Sequence, residues 1–235
     1  MMDPHVVWHD VECGAYTIDL PLWGELAADA SHGVLDVGAG TGRVAIPLAC
    51  NGHKVTALDY DPVLISELER RSDGLDIDTI VADAADFALA QPVALIIVPM
   101  QTIQLLPDRR GFFASARRSL TPGGRVAIAI ATGLEAFDGG AVLPFPDMGE
   151  ADGYRFVSQP VAVRLLDDGV RIERIRQLIA PDGTRESVDD AIHLATVSTA
   201  GLAEEAAEYG LEAEDLRHIP ETAAYVGSEV VILRG

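Results

Sequence analysis

Short apolar runs rich in β-branched residues alternate with helical patterns through the first 130 residues. The alternation predicts five strands separated by helices. Because parallel strands need helical crossovers, it also predicts an α/β fold with a parallel sheet covered by helices on both faces. The predicted strands are Gly33–Val37, Lys54–Asp59, Asp78–Ala82, Val93–Val98 and Gly124–Ala131, and the predicted helices are Gly42–Cys50, Pro62–Arg71 and Arg109–Ser119.

Residues that start or stop helices support some of these boundaries. Asp61 followed by Pro62 predicts a helix that begins with a side-chain cap and a proline in its first turn. The segment Thr121–Gly124 contains proline and two glycines and predicts a stop. Pro47 lies inside the first predicted helix, where it removes an internal hydrogen bond, so we expect a local bend there.

The chain beyond Ala131 has a different pattern. Residues 133–153 are rich in glycine, proline and aspartate and show no clear periodicity. Three strands joined by short turns then predict an antiparallel meander, because parallel neighbours need longer connections. These strands are Tyr154–Leu166, Val170–Ile179 and Thr184–Thr196; a helix over Ser198–Tyr209 and two antiparallel edge strands, Leu211–His218 and Glu229–Leu233, follow.

A glycine-rich turn after the first strand is the sharpest local signal. The sequence from Val34 to Arg43 reads VLDVGAGTGR, an apolar strand that runs into three glycines and a helix. Glycine permits positive φ and close approach of a ligand to the backbone. Dinucleotide enzymes use a related G-x-G-x-x-G turn, but the spacing here is G-x-G-x-G. A nicotinamide-dependent oxidoreductase is therefore an alternative that the spacing disfavours.

Carboxylates follow the next two strands. Asp59 ends the second strand about 20 residues beyond the glycine turn, where an acidic side chain can accept hydrogen bonds from both ribose hydroxyls. The alternative is a solvated turn aspartate beside Asp61. Asp83 follows the third strand, where a carboxylate can accept from the exocyclic amine of an adenine ring.

Together these motifs resemble the class I S-adenosylmethionine-dependent methyltransferase superfamily in order and spacing. The resemblance implies a Rossmann-like, seven-stranded, mostly parallel sheet of order 3-2-1-4-5-7-6 with an antiparallel β insert after strand 5. It covers roughly residues 30 to 131. The motifs are Leu35–Arg43, Asp59, Asp83–Ala84, Val98–Gln101 and Leu120–Gly124.

The resemblance also implies S-adenosylmethionine as cofactor and a set of residues that bind it. The glycine loop holds the methionine end, Asp59 the ribose, Asp83 and the Ala84 backbone the adenine, and Met100 packs near the ring. Ala94 stands where many relatives carry an aspartate, at a position that is usually structural. The implied cofactor residues are Asp36, Gly38, Ala39, Gly40, Asp59, Tyr60, Asp83, Ala84, Pro99 and Met100.

The layout is similar to that of small-molecule N-methyltransferases acting on glycine and amino sugars. It implies one methyltransferase domain over residues 1–235, with an N-terminal lid over 1–30 and an antiparallel insert over 134–197 that covers the active site. The implied reaction is in-line methyl transfer to an amine, less readily a hydroxyl, of a small metabolite. A non-catalytic S-adenosylmethionine-binding protein is an alternative, because the motifs indicate binding rather than turnover.

Three side chains are candidates for a catalytic role. Tyr16 lies in the N-terminal segment, Gln101 follows the fourth strand at the end where ligands bind, and His193 on an insert strand could orient or deprotonate an amine. Gln104 is a weaker candidate, and each residue could instead be structural. For Arg43, an ion pair with a nearby acid is favoured over a contact with the cofactor carboxylate.

Trp8 and His9 precede Tyr16 and are candidates for the same lid, whereas Trp23 is interpreted as a packing residue.

Charge limits the partners that this protein can have. The 235 residues include 37 acidic and 17 basic ones, for a formal net charge of −20. Such a surface repels phosphates and anionic headgroups, so we expect neither nucleic-acid nor membrane partners and favour a neutral or cationic acceptor. No apolar run approaches the roughly 20 residues that span a bilayer, and no secretory pattern begins the chain, so we expect a cytoplasmic location.

Cysteine and histidine give no sign of a metal site. Cys13 and Cys50 are too far apart in sequence for a paired motif, and we interpret both as reduced, small, buried side chains. The histidines are scattered without ligand spacing, so we predict no metal. Monomer and homodimer both remain open.

Overall fold

A computed structural model of the protein describes residues 2–140 and 143–235. Seven helices and thirteen strands lie within these ranges. The helices are α1 Pro4–Cys13, α2 Leu20–Ala27, α3 Ala45–Cys50, α4 Pro62–Arg71, α5 Thr102–Leu105, α6 Arg109–Ser119 and α7 Thr199–Ala207. The strands are β1 Val34–Val37, β2 Val55–Asp59, β3 Ile77–Val81, β4 Val93–Val98, β5 Leu120–Ala131, β6 Phe137–Asp138, β7 Asp147–Ala151, β8 Tyr154–Leu165, β9 Gly169–Ile179, β10 Arg185–Ala195, β11 Glu212–Ala213, β12 Arg217–Ile219 and β13 Ser228–Arg234.

The main sheet runs in the order β3-β2-β1-β4-β5-β13, and both β11 and β12 pair with β13. Strands β1 to β5 are parallel, whereas β13 lies antiparallel to β5. This arrangement confirms the predicted Rossmann-like α/β fold and its strand order. Two core clusters cover the two faces: one joins the sheet to Trp23 of α2 and Leu48 of α3, and the other to Phe112 of α6 and Leu202 of α7.

One part of the sheet prediction is wrong. The single edge strand expected over Leu211–His218 is two short strands, so the sheet has eight strands rather than seven. β11 and β12 pair with opposite ends of β13, and between them the carboxylate of Glu214 forms ion pairs with Arg125 and Arg234. The Glu214 amide still donates to the Ile232 carbonyl at 2.8 Å, so the ladder is interrupted only between Glu214 and Arg217, which a periodicity argument does not detect.

Helix boundaries depend on local chemistry. The bounds predicted for α4 and α6 are confirmed, and Asp61 caps α4 by accepting hydrogen bonds from the Val63 and Leu64 amides. Helix α3 begins at Ala45, later than the predicted Gly42. The Ile46 and Leu48 amides donate to the Gly42 and Val44 carbonyls, on either side of the helical bond that Pro47 cannot make, and the bend at Pro47 stays a prediction.

A second sheet follows β5 in the chain. Its order is β10-β9-β8, and β6 and β7 pair with separate parts of β8. The antiparallel meander predicted from the short turns is confirmed. The segment 133–153, expected to be irregular, contains β6 and β7, which are short and pair with a distant partner strand. We call this second sheet the insert sheet.

Helix α1 packs between the insert sheet and the main sheet. Val7 and Val11 form a small third core with Phe156 of β8, and Trp8 meets the Phe156 ring edge-on at 5.0 Å between centroids. Throughout residues 2–140 and 143–235, every helix falls short of the length and hydrophobicity that a bilayer span requires. Two buried cysteines were expected. Cys50 is exposed, so the expectation is wrong for this residue, and Cys13 is half-buried.

Candidate functional site

The glycine loop turns sharply at the carboxyl end of β1. Gly38, Gly40 and Gly42 have φ angles of 74°, 53° and 95°, a backbone region that other residues rarely adopt. A Cβ on Gly38 would lie 2.7 Å from Cγ2 of Thr102, and one on Gly42 would lie 2.8 Å from Cδ1 of Ile46. The loop therefore needs glycine for both conformation and space.

Asp59 fixes the shape of this loop from the end of β2. One of its carboxylate oxygens accepts from the Gly40 amide at 2.8 Å, and the other accepts from the Asp61 amide at 3.0 Å. The amides of Gly38 and Ala39 are bonded to the neighbouring Leu58 carbonyl. Because each carboxylate oxygen has two acceptor sites, Asp59 keeps capacity for two ligand hydroxyls.

Asp36 is a buried carboxylate without a hydrogen-bond partner. It lies on β1, is 1% exposed, and neither oxygen is bonded to any described residue. Burial raises the pKa of Asp36 to about 7; nearby Arg43 opposes the rise and the carboxylates of Asp19 and Asp59 add to it. The nearby Ala45 amide also favours the charged form of the Asp36 carboxyl, but it is not positioned to donate a hydrogen bond to either carboxylate oxygen. An unpaired buried carboxylate is rare and fits a cationic ligand.

Arg43 joins the glycine loop to the N-terminal segment. It donates to both oxygens of the fully buried Asp19 at 2.7 and 2.8 Å, and to the Tyr16 carbonyl at 2.6 Å. Asp19 also accepts from the indole of Trp23 at 2.8 Å. The prediction of an ion pair for Arg43 and that of a packing role for Trp23 are both confirmed.

Helix α1 lies directly on the glycine loop. The ring of His9 sits against Gly40 so closely that a Cβ there would overlap it. Asp10 accepts from the Thr41 hydroxyl at 2.7 Å and forms an ion pair with Arg71 of α4. Burial raises the pKa of Asp10, but bonds from His9, Arg71 and Thr41 hold it well below its usual range. The segment is therefore anchored over this end of the sheet, and its movement as a lid stays a prediction.

The helix is anchored at its other end as well. His5 of α1 bonds Asp61 of α4 at 2.7 Å between Nε2 and Oδ2.

The remaining candidates for cofactor binding follow neighbouring strands. Tyr60 after β2 is 79% exposed, and Asp83 after β3 is exposed, with its carboxylate accepting from the Ala85 amide at 2.8 Å. Ala84 is buried. Since β3, β2, β1 and β4 are adjacent and parallel, the structure brings all ten predicted cofactor residues to one edge of the sheet.

The backbone after β4 is strained where it leaves the sheet. Met100 follows Pro99 with φ of 55°, and non-glycine residues in this region cluster at functional sites. Gln101 is half-buried at the start of α5. Gln104 has a structural role: it accepts from the Ala131 amide at 2.9 Å and donates to the Ala195 carbonyl at 3.3 Å, which joins the main sheet to the insert sheet.

The three candidate catalytic residues do not lie together. Tyr16 is buried, with Arg43 5.2 Å from its ring centroid and the Tyr225 ring edge-on at 5.1 Å. Burial, with Asp19, raises the pKa of the Tyr16 phenol, and a hydrogen bond with Ser228 opposes the rise. The side chain of His193 is 46% exposed. Asp190 of β10 faces α1, and His193 lies three residues further along the strand, on the opposite face. Its position on the outer face of the insert sheet argues against the catalytic role we predicted.

Other polar residues near the site escaped the sequence analysis. Glu12 of α1 accepts from Ser158 and forms ion pairs with Arg174 and Arg176, and Asp147 lies opposite Ser158 on β7. The signals for α1 were the cap residue Asp3 followed by Pro4 and the helical spacing of Val7 and Val11, whereas β7 had none. In the described part of the chain, no three His, Cys, Asp or Glu side chains come together as a metal site, and the absence of a metal remains a prediction.

Comparison with known proteins identifies the segment that carries the glycine loop. Residues 34–124 match the family model described as a methyltransferase domain. The chain carries a methyltransferase domain. Over this segment the resemblance to methyltransferases drawn from the motifs is confirmed, and the strand order is the one that the class I resemblance implied.

Curated relatives match the methyltransferase domain over part of their length. The ubiquinone biosynthesis O-methyltransferase of Xanthomonas euvesicatoria is 31% identical over 99 residues, which are 41% of this chain and 41% of that protein. The chain therefore spans about two fifths of the length of the curated relatives it matches.

Solved structures resemble the whole chain. The sugar N-methyltransferase KedS8 from Streptoalloteichus superposes with a TM-score of 0.74 at 19% identity, over 99% of this chain and 93% of that one. CalS10, an amino pentose methyltransferase from Micromonospora echinaspora, gives 0.73 at 16% identity, over 100% and 98%. At these identities the likeness establishes the methyltransferase fold, including the second sheet, and nothing finer.

Proposed function

We propose that the protein is an S-adenosylmethionine-dependent methyltransferase that acts on a small molecule, at an amine in preference to a hydroxyl. The observation that carries the proposal is the unpartnered Asp36 carboxylate beside a glycine loop that Asp59 holds in place. A buried acid without a partner fits the ammonium group at the methionine end of this cofactor.

The residues present fit the rest of the cofactor. We assign Asp59 and Tyr60 to the ribose, Asp83 and Ala84 to the adenine, and Met100 to a packing contact with the ring. Pro99 and the loop residues Gly38, Ala39 and Gly40 complete the set. When bound, S-adenosylmethionine supplies a methyl group on a positively charged sulfur, which accepts the electron pair of the broken bond.

The chain has to align the acceptor with that methyl group and exclude water. Helix α1 covers the glycine loop through His9 and Asp10, which limits access of solvent. The Tyr16 phenol, with its raised pKa, stays protonated at neutral pH and can donate a hydrogen bond to an acceptor. Gln101, at the carboxyl end of β4, offers an amide for the same purpose.

The length of chain that each kind of methyltransferase matches favours an amine over a hydroxyl as the methyl acceptor. The curated relatives named as O-methyltransferases match only 96 to 105 residues of this chain. KedS8, named as a sugar N-methyltransferase, matches nearly the whole chain, insert sheet included. The net charge of −20 also attracts cationic acceptors rather than anionic ones.

Calorimetric titration tests the cofactor first. We expect micromolar binding of S-adenosylmethionine and none of NAD, and a loss of about tenfold in affinity in Asp36→Asn, because one charged hydrogen bond is worth about 1.5–3 kcal/mol. Asp189→Asn makes the same change at an exposed position and should bind like wild type. Binding of NAD alone would favour the oxidoreductase instead.

Turnover then separates an enzyme from a binding protein. The protein is incubated with S-adenosylmethionine and mixtures of small amines or small alcohols, and formation of S-adenosylhomocysteine is measured. We expect faster product formation with amines. Cofactor binding without turnover on either mixture would favour the non-catalytic alternative. The cytoplasmic location, the lack of nucleic-acid and membrane partners and the oligomeric state stay predictions from the sequence.

A further inference from the structure

Asp147 presents its carboxylate to the inner face of the insert sheet. In the β7–β8 ladder it lies directly opposite Ser158, and residues opposite each other in a ladder point to the same face. The Ser158 hydroxyl donates to Glu12 of α1 at 2.8 Å. The next residue, Met148, is 65% exposed. Asp147 therefore points toward α1, into the space between the two sheets.

The other carboxylates on this face are neutralised. Arg174 and Arg176 bind Glu12 at 2.6 and 2.8 Å, and Arg176 also reaches Asp190 at 3.1 Å. Within residues 2–140 and 143–235, the Asp147 side chain forms no hydrogen bond and no ion pair within 4.0 Å. Burial raises the pKa of Asp147; Glu12 adds to the rise and Arg174 opposes it. Asp147 is thus a half-buried anion that still has its acceptor capacity free.

Aromatic rings follow the end of α1 that Asp147 faces, because the Tyr16 amide donates to the carbonyl of Cys13, the last residue of α1, at 3.2 Å. Tyr225, in the loop before β13, meets the Tyr16 ring edge-on at 5.1 Å. Burial raises the pKa of the Tyr225 phenol, and nearby Asp147 adds to the rise. Both Tyr225 and Met100 pack against the core cluster that contains Tyr16. Tyr225 also precedes Ser228, which pairs with Ala131 at the carboxyl end of β5, and β5 is the neighbour of β4. The rings therefore lie near the carboxyl end of β4, where the acceptor has to meet the methyl group.

We propose that Asp147 and Tyr225 form the acceptor subsite, in which Asp147 binds the ammonium group of the acceptor beside the tyrosine ring and selects an amine over a hydroxyl. Asp147 then takes one proton from the ammonium group, and the neutral amine attacks the methyl group as the bond from methyl to sulfur breaks. An alkylammonium ion gains a charge-assisted hydrogen bond from a carboxylate and an electrostatic attraction from an aromatic face. An alcohol of the same shape gains neither charge interaction. This inference rests on the proposed function and explains why the enzyme would select amines as its substrate class.

A matched pair of probes tests the subsite. Cyclohexylamine and cyclohexanol have the same six-membered ring and differ only in the functional group. At about pH 8 the amine is protonated, as an alkylamine with a pKa near that of lysine, about 10.4. Each probe is titrated calorimetrically into wild type, Asp147→Asn and Asp189→Asn, all loaded with S-adenosylhomocysteine. Asp189 is an exposed acid on β10 of the same sheet, so its variant controls for net charge.

We expect wild type to bind the amine about tenfold or more tightly than the alcohol. Asp147→Asn should lose that preference through weaker amine binding, with the affinity for cyclohexanol unchanged, and Asp189→Asn should behave like wild type. Tyr225→Phe, which keeps the ring, should retain most amine binding, whereas Tyr225→Ala should not. Unchanged melting temperature and S-adenosylmethionine affinity in Asp147→Asn show that the variant is folded.

The subsite is overturned if wild type shows no preference for the amine, or if Asp147→Asn keeps the wild-type preference. Cofactor titration and product formation distinguish this failure from failure of the proposed function. A protein that binds the cofactor and methylates acceptors, but selects amines without Asp147, refutes only the subsite. A protein that does not bind S-adenosylmethionine refutes the proposed function and the subsite with it.

Discussion

Asp36 shows how a single residue can make stability depend on pH. In the folded protein its pKa is about 7, whereas an unfolded aspartate has a pKa of about 3.9. Between these values the folded state binds more protons than the unfolded state, so the free energy of unfolding falls as the pH rises from about 4 to about 7. Burying this charge therefore costs stability at neutral pH.

Replacing Asp36 with asparagine should remove that pH dependence. We expect the melting temperature of Asp36→Asn minus that of wild type to increase as the pH rises from about 5 to about 8, because asparagine is never charged. Thermal unfolding of both proteins across this pH range measures the difference, and the other titrating groups cancel. A difference that is constant over the range would mean that Asp36 titrates at its ordinary pKa.

The Arg43–Asp19 pair should contribute strongly to folding. Asp19 is fully buried and also accepts a hydrogen bond from Trp23. The variant Asp19→Asn therefore leaves the largely buried guanidinium of Arg43 without this carboxylate as its ion-pair partner. We expect a loss of about 3 kcal/mol or more in the free energy of unfolding, measured by urea denaturation. Arg155→Gln, which removes an exposed ion pair with Glu150, is the matched control and should have little effect. Equal losses in the two variants would contradict this view.

At the scale of elements, the parts predicted well are those with local signals. The cap at Asp61 and the stop at Thr121–Gly124 bound α4 and α6, and alternating apolar residues predict β8, β9 and β10. Helix α1 has a local start signal in Asp3 and Pro4, but it carries three valines that favour strands, and it is stabilised by the insert sheet, which is distant in sequence. Strand β7 depends on its partner β8 and was not accessible to local patterns.

The same distinction applies to the candidate site. The strands β1 and β2 could be recognised from the sequence. Asp36 and Asp59 lie on these strands and the glycine loop follows β1, so their place at one edge of the sheet could be predicted. His193 was placed on the correct strand, but its face depends on the partner that covers the sheet. Asp147 and Tyr225 lie in segments whose structure depends on tertiary contacts.

Glu12 connects α1 to the insert sheet, and removing its charge should release the helix. In Glu12→Gln, Arg174 and Arg176 lose the carboxylate that balances them. We expect faster amide hydrogen exchange over residues 4–13, measured by mass spectrometry, with exchange in β1 to β5 unchanged. Glu150→Gln removes an exposed acid from the same sheet and serves as the control. If α1 stays as protected as in wild type, its core contacts with Phe156 hold it without the ion pairs.

For the molecule as a whole, the net charge of −20 sets the response to salt. The excess of acidic residues opposes folding by self-repulsion, which dissolved salt screens within a Debye length of about 10 Å at 0.1 M. We expect the melting temperature to rise by a few degrees between about 0.02 and 0.5 M NaCl, and by the same amount in KCl. A falling melting temperature would mean that ion pairs outweigh the repulsion.

Helix α1 serves two neighbours at once, since His9 covers the glycine loop and Glu12 borders the space in front of Asp147. With the predicted movement of α1 as a lid, a molecule that binds under the helix enters before the helix closes, and the second pocket is completed only afterwards. We expect the kinetic consequence to be compulsory order, in which S-adenosylmethionine binds first and S-adenosylhomocysteine leaves last. Initial-rate patterns should then show S-adenosylhomocysteine competing with S-adenosylmethionine and not with the methyl acceptor.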